Sequence, residues 1–160
     1  MDKYKKNKTP IMEKNKINIF QSKYLDLFTD FGYGVNSLSD ILQSLGYNIE
    51  NLNSSSGKTE AIDAIGQLLE KEIIYVLHWG KHHNIIKNLD LNYKQTLIFI
   101  NEIWFENANY SDFLDMVTFK YTDWYYNKLK EAGIDVNTDW GLFGKEFVPN
   151  IEEWIKEKRP

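Results

Sequence analysis

The chain has 160 residues, 42% hydrophobic and 15% aromatic, with 19 basic and 23 acidic side chains and a net charge of −4. That length and apolar content specify a globular domain with a real core and exclude a disordered chain. The lack of cysteine excludes disulfides and cysteine-ligated metals, and no apolar run matches a signal peptide or a membrane span, which points to the cytoplasm.

Charge is unevenly placed. Residues 1–16 carry six Lys against Asp2 and Glu13, a net of +4, which leaves 13 bases and 21 acids, a net of −8, for the remainder. The basic arm holds too few apolar residues to order itself and is expected to be disordered, with residues 17–160 forming a single globular domain. An acidic body opposes nucleic-acid binding, which needs a basic face to displace counterions, and it suits a basic protein partner.

In chain order, Phe20, Tyr24, Leu27, Phe28 and Phe31 make an apolar stripe at helical spacing that ends at Gly32. Ser37 and Asp40 form a capping box before Leu38, Ile41, Leu42 and Leu45. A third helix is expected near Thr59, capped by Ser56 or Gly57, with Glu60 and Asp63 in its first turn. The segment "EIIYVLHW" either continues that helix or gives a short β element over 72–79, since Ile73, Ile74 and Val76 are β-branched. Asn92 and Gln95 cap "NYKQTLIFINEIWFENA", which is apolar on most sides and reads as a central buried helix. The longest helix is expected from Ser111 to Glu131, with Phe113, Val117, Tyr121, Trp124 and Lys128 along one side and Gly133 at its end. In "PNIEEWIKEKRP", Asn150 caps a last helix that packs through Ile151, Trp154 and Ile155. The expected fold is mainly α, a compact domain of about five to six helices.

Several stretches carry chemistry-like patterns. "SGKT" contains the Gly57-Lys58-Thr59 end of a phosphate loop, but the first glycine of that motif belongs at position 52, where Leu52 stands. In "HWGKHH", His78 and His82 have the helical spacing of paired zinc ligands, without the Glu that a metalloprotease needs after the first His. "DVNTDWGLFGKE" sets Asp135, Asn137, Asp139 and Glu146 at ligand positions 1, 3, 5 and 12 of an EF-hand calcium loop. Trp140 stands there in place of the glycine at position 6. These departures leave no cofactor or metal expected. No nucleophile, base and orienting acid can be matched from the sequence, so no catalytic residue is assigned.

Residues 37–80, helices leading into a strand, resemble a winged-helix module. Its recognition helix would offer Thr59, Glu60, Asp63 and Gln67 to DNA, with carboxylates where bases are needed. The whole profile, small, acidic, cysteine-free, mostly helical and rich in Lys, Asn and Ile, resembles the immunity proteins of bacterial polymorphic-toxin and contact-dependent growth inhibition systems. That resemblance implies a non-catalytic cytoplasmic protein that binds and neutralises a cognate toxin, often a basic nuclease. It implies no nucleic-acid or membrane partner. Candidate contact residues are Asp112, Asp115 and Asp123 on the long helix, and Glu60 and Asp63 on the third. A degenerate winged-helix regulator and an unrecognised metal-dependent hydrolase are the alternatives.

Overall fold

A computed structural model describes residues 16–29, 36–48, 50, 53–134 and 140–158, with side chains throughout except at 22, 29 and 140–148. Phe31, Gly32 and the basic arm before residue 16 lie outside these residues. The mainly α expectation holds: eight α-helices and one small antiparallel sheet are present among the described residues. Among them no helix is long and apolar enough to cross a membrane.

The first apolar stripe folds as two short pieces, a 3-10 turn over Ser22–Tyr24 and helix α1 over Asp26–Thr29. Tyr24, Leu27 and Phe28 are buried, and Phe20 stacks on Phe28 at 5.6 Å. Strand β1 (Asn36–Ser37) runs directly into α2 (Leu38–Ser44), whose capping box has Ser37 and Asp40 bonding each other's backbone N–H groups. Leu38, Ile41, Leu42 and Leu45 all reach the core.

Helix α3 spans Ser55–Glu70 and starts earlier than the sequence suggests. Ser54, in extended backbone, is the cap, and its Oγ accepts the Gly57 N–H at 3.0 Å. Ser56 and Gly57 are therefore inside the first turn, and Glu60 and Asp63 fall beyond it. The following segment is a strand, β2 (Ile74–His78), reached through Glu72 in a left-handed conformation at φ 57.

Two helix assignments need correction. The expected long helix is three elements: α6 (Tyr110–Met116), strand β3 (Thr118–Tyr121) and α7 (Asp123–Glu131). A capping box of Asn109 and Asp112 starts α6, and Val117 ends it in extended backbone. In β3, Phe119 and Tyr121 point inward while Lys120 is exposed, the alternation of a strand with one buried face. The last helix, α8 (Trp140–Lys158), passes through Pro149, so Asn150 lies within it and caps nothing. Pro149 removes one backbone donor, a loss the helix tolerates while Ile151 buries and Trp154 packs near Tyr125 at 6.4 Å.

The sheet order is β1-β3-β2, all antiparallel, with Val76 opposite Phe119 and a bulge between Val76 and His78. As in a winged-helix module, α3 leads straight into a strand. Its partner β3 arrives only after α4 (His83–Ile86), α5 (Tyr93–Ile103) and α6. Helix α5 has the expected Asn92–Gln95 capping box but is not buried all round: Thr96 and Ile100 are buried, while Ile98 is 57% exposed. It lies close along α3, where a Cβ on Gly66 would come within 2.8 Å of Leu97. The core runs from α1 through α2, α3 and the sheet to α7. Tyr121 and Tyr125 reach across it to donate to the carbonyls of Leu27 at 3.0 Å and Phe28 at 2.6 Å.

Candidate functional site

The chemistry-like motifs are dispersed by the fold. Gly57, Lys58 and Thr59 sit in the first turns of α3, where the Gly57 N–H already bonds Ser54 and Thr59 Oγ1 bonds the Ser55 carbonyl. A phosphate cradle needs those N–H groups free in a loop. His78 ends β2 and His82 ends a 3-10 turn over Gly80–His82, so the two do not share a helix face. The ring stacked on His78, at 3.9 Å, is instead His83, whose Nδ1 accepts the Trp79 N–H. Partial burial lowers the His83 pKa below its usual value, with the charges of His78 and Lys87 adding to the shift. Of the calcium-loop candidates, Asp135, Asn137 and Asp139 lie outside the described residues, and Glu146 lies on α8. Loop positions 6 to 12 are therefore helical, because Trp140 begins a helix where a glycine would turn the loop. Among the described residues no three His, Asp or Glu side chains converge to hold a metal ion.

The five candidate contact carboxylates separate into three groups. Glu60 accepts the Tyr47 hydroxyl at 2.9 Å, and Asp63 accepts the Ile17 N–H at 2.7 Å and the Gln67 amide at 3.2 Å. Both hold neighbouring segments against α3. Asp123 is the first residue of α7, on a different element from the other four. Asp112 and Asp115 lie together on α6, three residues apart on one side of that helix.

Around Asp112 and Asp115 the sequence has a feature that its motifs do not advertise. Between Lys94 and Lys120 the chain has four acids, Glu102, Glu106, Asp112 and Asp115, and no Lys, Arg or His. None of the ion pairs among the described residues uses these four. The nearest base from α3, Lys58, directs its ammonium to the Trp104 ring at 5.9 Å and the Asn101 carbonyl at 3.5 Å. The same stretch displays Ile98, Phe105, Tyr110 and Leu114 to solvent.

The end of α5, the Gly80–His82 turn and α6 enclose a cleft of about 250 Å³. Its lining combines apolar Ile103, Phe105 and Met116, the carboxylates Asp112 and Asp115 of α6, and Lys81 and His82 of the turn. Gly80 allows the turn to sit so close: at φ 57, a Cβ there would fall 2.2 Å from the Asp115 carbonyl oxygen.

Sequence reasoning missed the residue that shapes this cleft. Asn53 donates its amide to the carbonyls of Phe105, Glu106 and Ala108, and its Oδ1 accepts the Trp104 indole N–H at 3.1 Å. Trp104 itself is 5% exposed and packs edge-on against Phe113 at 5.1 Å. With the indole anchored and three of the next four carbonyls tied, Phe105 is held outward at 44% exposure. Two larger grooves lie elsewhere, of about 380 Å³ between α3 and α5 and about 360 Å³ beside β2. Among the described residues no buried side-chain oxygen or nitrogen lacks a partner, so neither groove is served by a poised, unbonded buried group. Comparison with known proteins yields no matching family model, no matching curated protein and no matching solved structure.

Proposed function

We propose that this is a non-catalytic binding protein that takes a basic protein partner on the face formed by residues 95–119, in the manner of an immunity protein neutralising its cognate toxin. The observation that carries the reading is the set Glu102, Glu106, Asp112 and Asp115, acids with no base in their stretch and no ion pair among the described residues, in the same stretch as exposed Ile98, Phe105, Tyr110 and Leu114. Apolar anchors supply affinity once desolvated, and unpaired like charges around them steer an oppositely charged partner. On this reading the protein works in the cytoplasm, where such a toxin would act.

A DNA-binding role draws no support from α3, the helix in the recognition position. Ala61, Ala64, Ile65 and Leu68 face the core, Gly66 abuts α5, and Asp63 and Gln67 hold Ile17 on another side. The fully exposed positions, Ser55, Ser56, Thr59 and Glu70, hold no base, and the one base of the helix, half-buried Lys58, turns its ammonium to the Asn101 carbonyl and the Trp104 ring.

The test is co-expression with a basic toxin domain encoded beside the gene, followed by size-exclusion chromatography. A one-to-one complex whose association slows as salt is raised supports the reading, because charge steering is screened within a Debye length of about 8 Å at physiological ionic strength. Failure to form any complex overturns it, and turnover of a small molecule by the isolated chain would put an enzyme in its place.

A further inference from the structure

We infer that the cleft between α5, the Gly80–His82 turn and α6 seats a single arginine side chain of the basic partner; this rests on the binding role proposed above. The volume, about 250 Å³, is below the roughly 300–1,000 Å³ of small-molecule pockets and suits one long side chain. Ile103 and Met116 in the lining are apolar partners for an aliphatic stem, and Phe105, also in the lining, keeps much of its ring side chain exposed. Asp112 and Asp115 stand one helical turn apart beside it. A planar guanidinium can stack on the ring while it donates to the carboxylates; an ammonium makes one compact contact and stacks less well. Asp112 Oδ2 is already occupied by the Asn109 N–H, so Asp115 carries the larger share of the new pairing.

The cleft is also preformed. Asn53 fixes the loop that presents Phe105, and Gly80 fixes the turn against the end of α6. Little ordering is left for the partner to impose, which lowers the entropic cost of seating a side chain.

The experiment is a backbone-amide NMR titration of the full ¹⁵N-labelled chain with N-acetyl-arginine N-methylamide, repeated with the lysine equivalent. Saturable shifts should concentrate at Gly80–His82, Ile103–Phe105 and Ser111–Met116, with arginine binding several-fold more tightly than lysine. Asp115→Asn should weaken the arginine complex about fivefold while the rest of the spectrum stays in place, the loss expected for one exposed charge-assisted contact. Shifts that never saturate in the cleft, or that are as large along α7 and α8, overturn the assignment. If the wild-type chain binds its partner and Phe105→Ala with Asp115→Asn binds equally well, the cleft is wrong and the proposed function survives. If the wild-type chain forms no complex, both fall.

Discussion

Glu70, Glu72, Glu131, Glu153 and Glu157 lie 3.4–3.9 Å from lysine ammonium groups, whereas Glu102, Glu106, Asp112 and Asp115 lie in a stretch that contains no base. The first set belongs to the α3–β2 corner, α7 and α8, where Lys71, Lys128, Lys156 and Lys158 neutralise the field locally. Those pairs are exposed, so each contributes at most about 1 kcal/mol to stability. The second set makes no ion pair among the described residues, although Lys81 and His82 line the cleft beside Asp112 and Asp115, and exposed apolar side chains lie in the same stretch. Net charge alone does not separate the two regions; the position of the lysines does.

The comparison can be broken most severely from beneath the unpaired region. Trp104→Ala removes a buried indole that packs on Phe113 and bonds Asn53, and should cost about 3–5 kcal/mol in chemical denaturation. The 104–108 loop should lose protection from hydrogen exchange at the same time. A loss under about 1 kcal/mol would mean that the loop is held without its anchor, since only surface substitutions cost so little.

A smaller change sharpens the other side. Glu72 is paired to Lys158, yet it occupies a left-handed backbone at φ 57. Its carbonyl, not its carboxylate, receives the Trp124 indole N–H at 2.6 Å. Glu72→Gly deletes the ion pair and relieves the backbone, so stability should rise by about 0.5 kcal/mol. A fall in the denaturation midpoint would show that the Glu72–Lys158 pair stabilises the fold by more than the left-handed backbone costs.

The smallest effect concerns His83, beside the turn that closes the cleft. Its pKa is lowered in the folded state, so the unfolded chain binds more protons in this range and stability rises with pH. The stability is present above the ordinary histidine value of about 6.5 and declines as pH falls through the lowered folded value. Comparing the Tm of wild type and His83→Gln between pH 7.5 and 5.5 checks the sign: the wild type should lose slightly more on acidification.

Much of the fold was legible where local chemistry fixes it. The Ser37–Asp40 and Asn92–Gln95 boxes mark α2 and α5 correctly, because a cap is a contact between residues three apart. The split of the long helix was not legible from its stripe. Phe113, Val117 and Tyr121 are four apart, a spacing that keeps side chains on one face in either a helix or a strand. The Asn109–Asp112 box was the available signal for the new start. Asn150 has the chemistry of a cap, yet α8 runs through Pro149 before it with a single missing donor, which no local pattern marks. At the candidate site, Asp112 and Asp115 could be named from charge alone. That Glu60 and Asp63 are committed elsewhere depends on Tyr47 and Ile17, far along the chain. Asn53 bonds carbonyls and an indole 51–55 residues away, and no local pattern marks such a residue.

The most direct measurement compares two charge-reversed proteins against the same toxin partner by stopped-flow association at low salt. Glu106→Lys with Asp115→Lys reverses the unpaired region, and Glu153→Lys with Glu157→Lys reverses the lysine-paired one, with equal change in net charge. The account predicts an on-rate at least about tenfold lower for the first pair and a near wild-type rate for the second, since steering depends on charges near the docking face. Equal slowing by both pairs would show that only net charge matters, and would contradict the assignment of binding to residues 95–119.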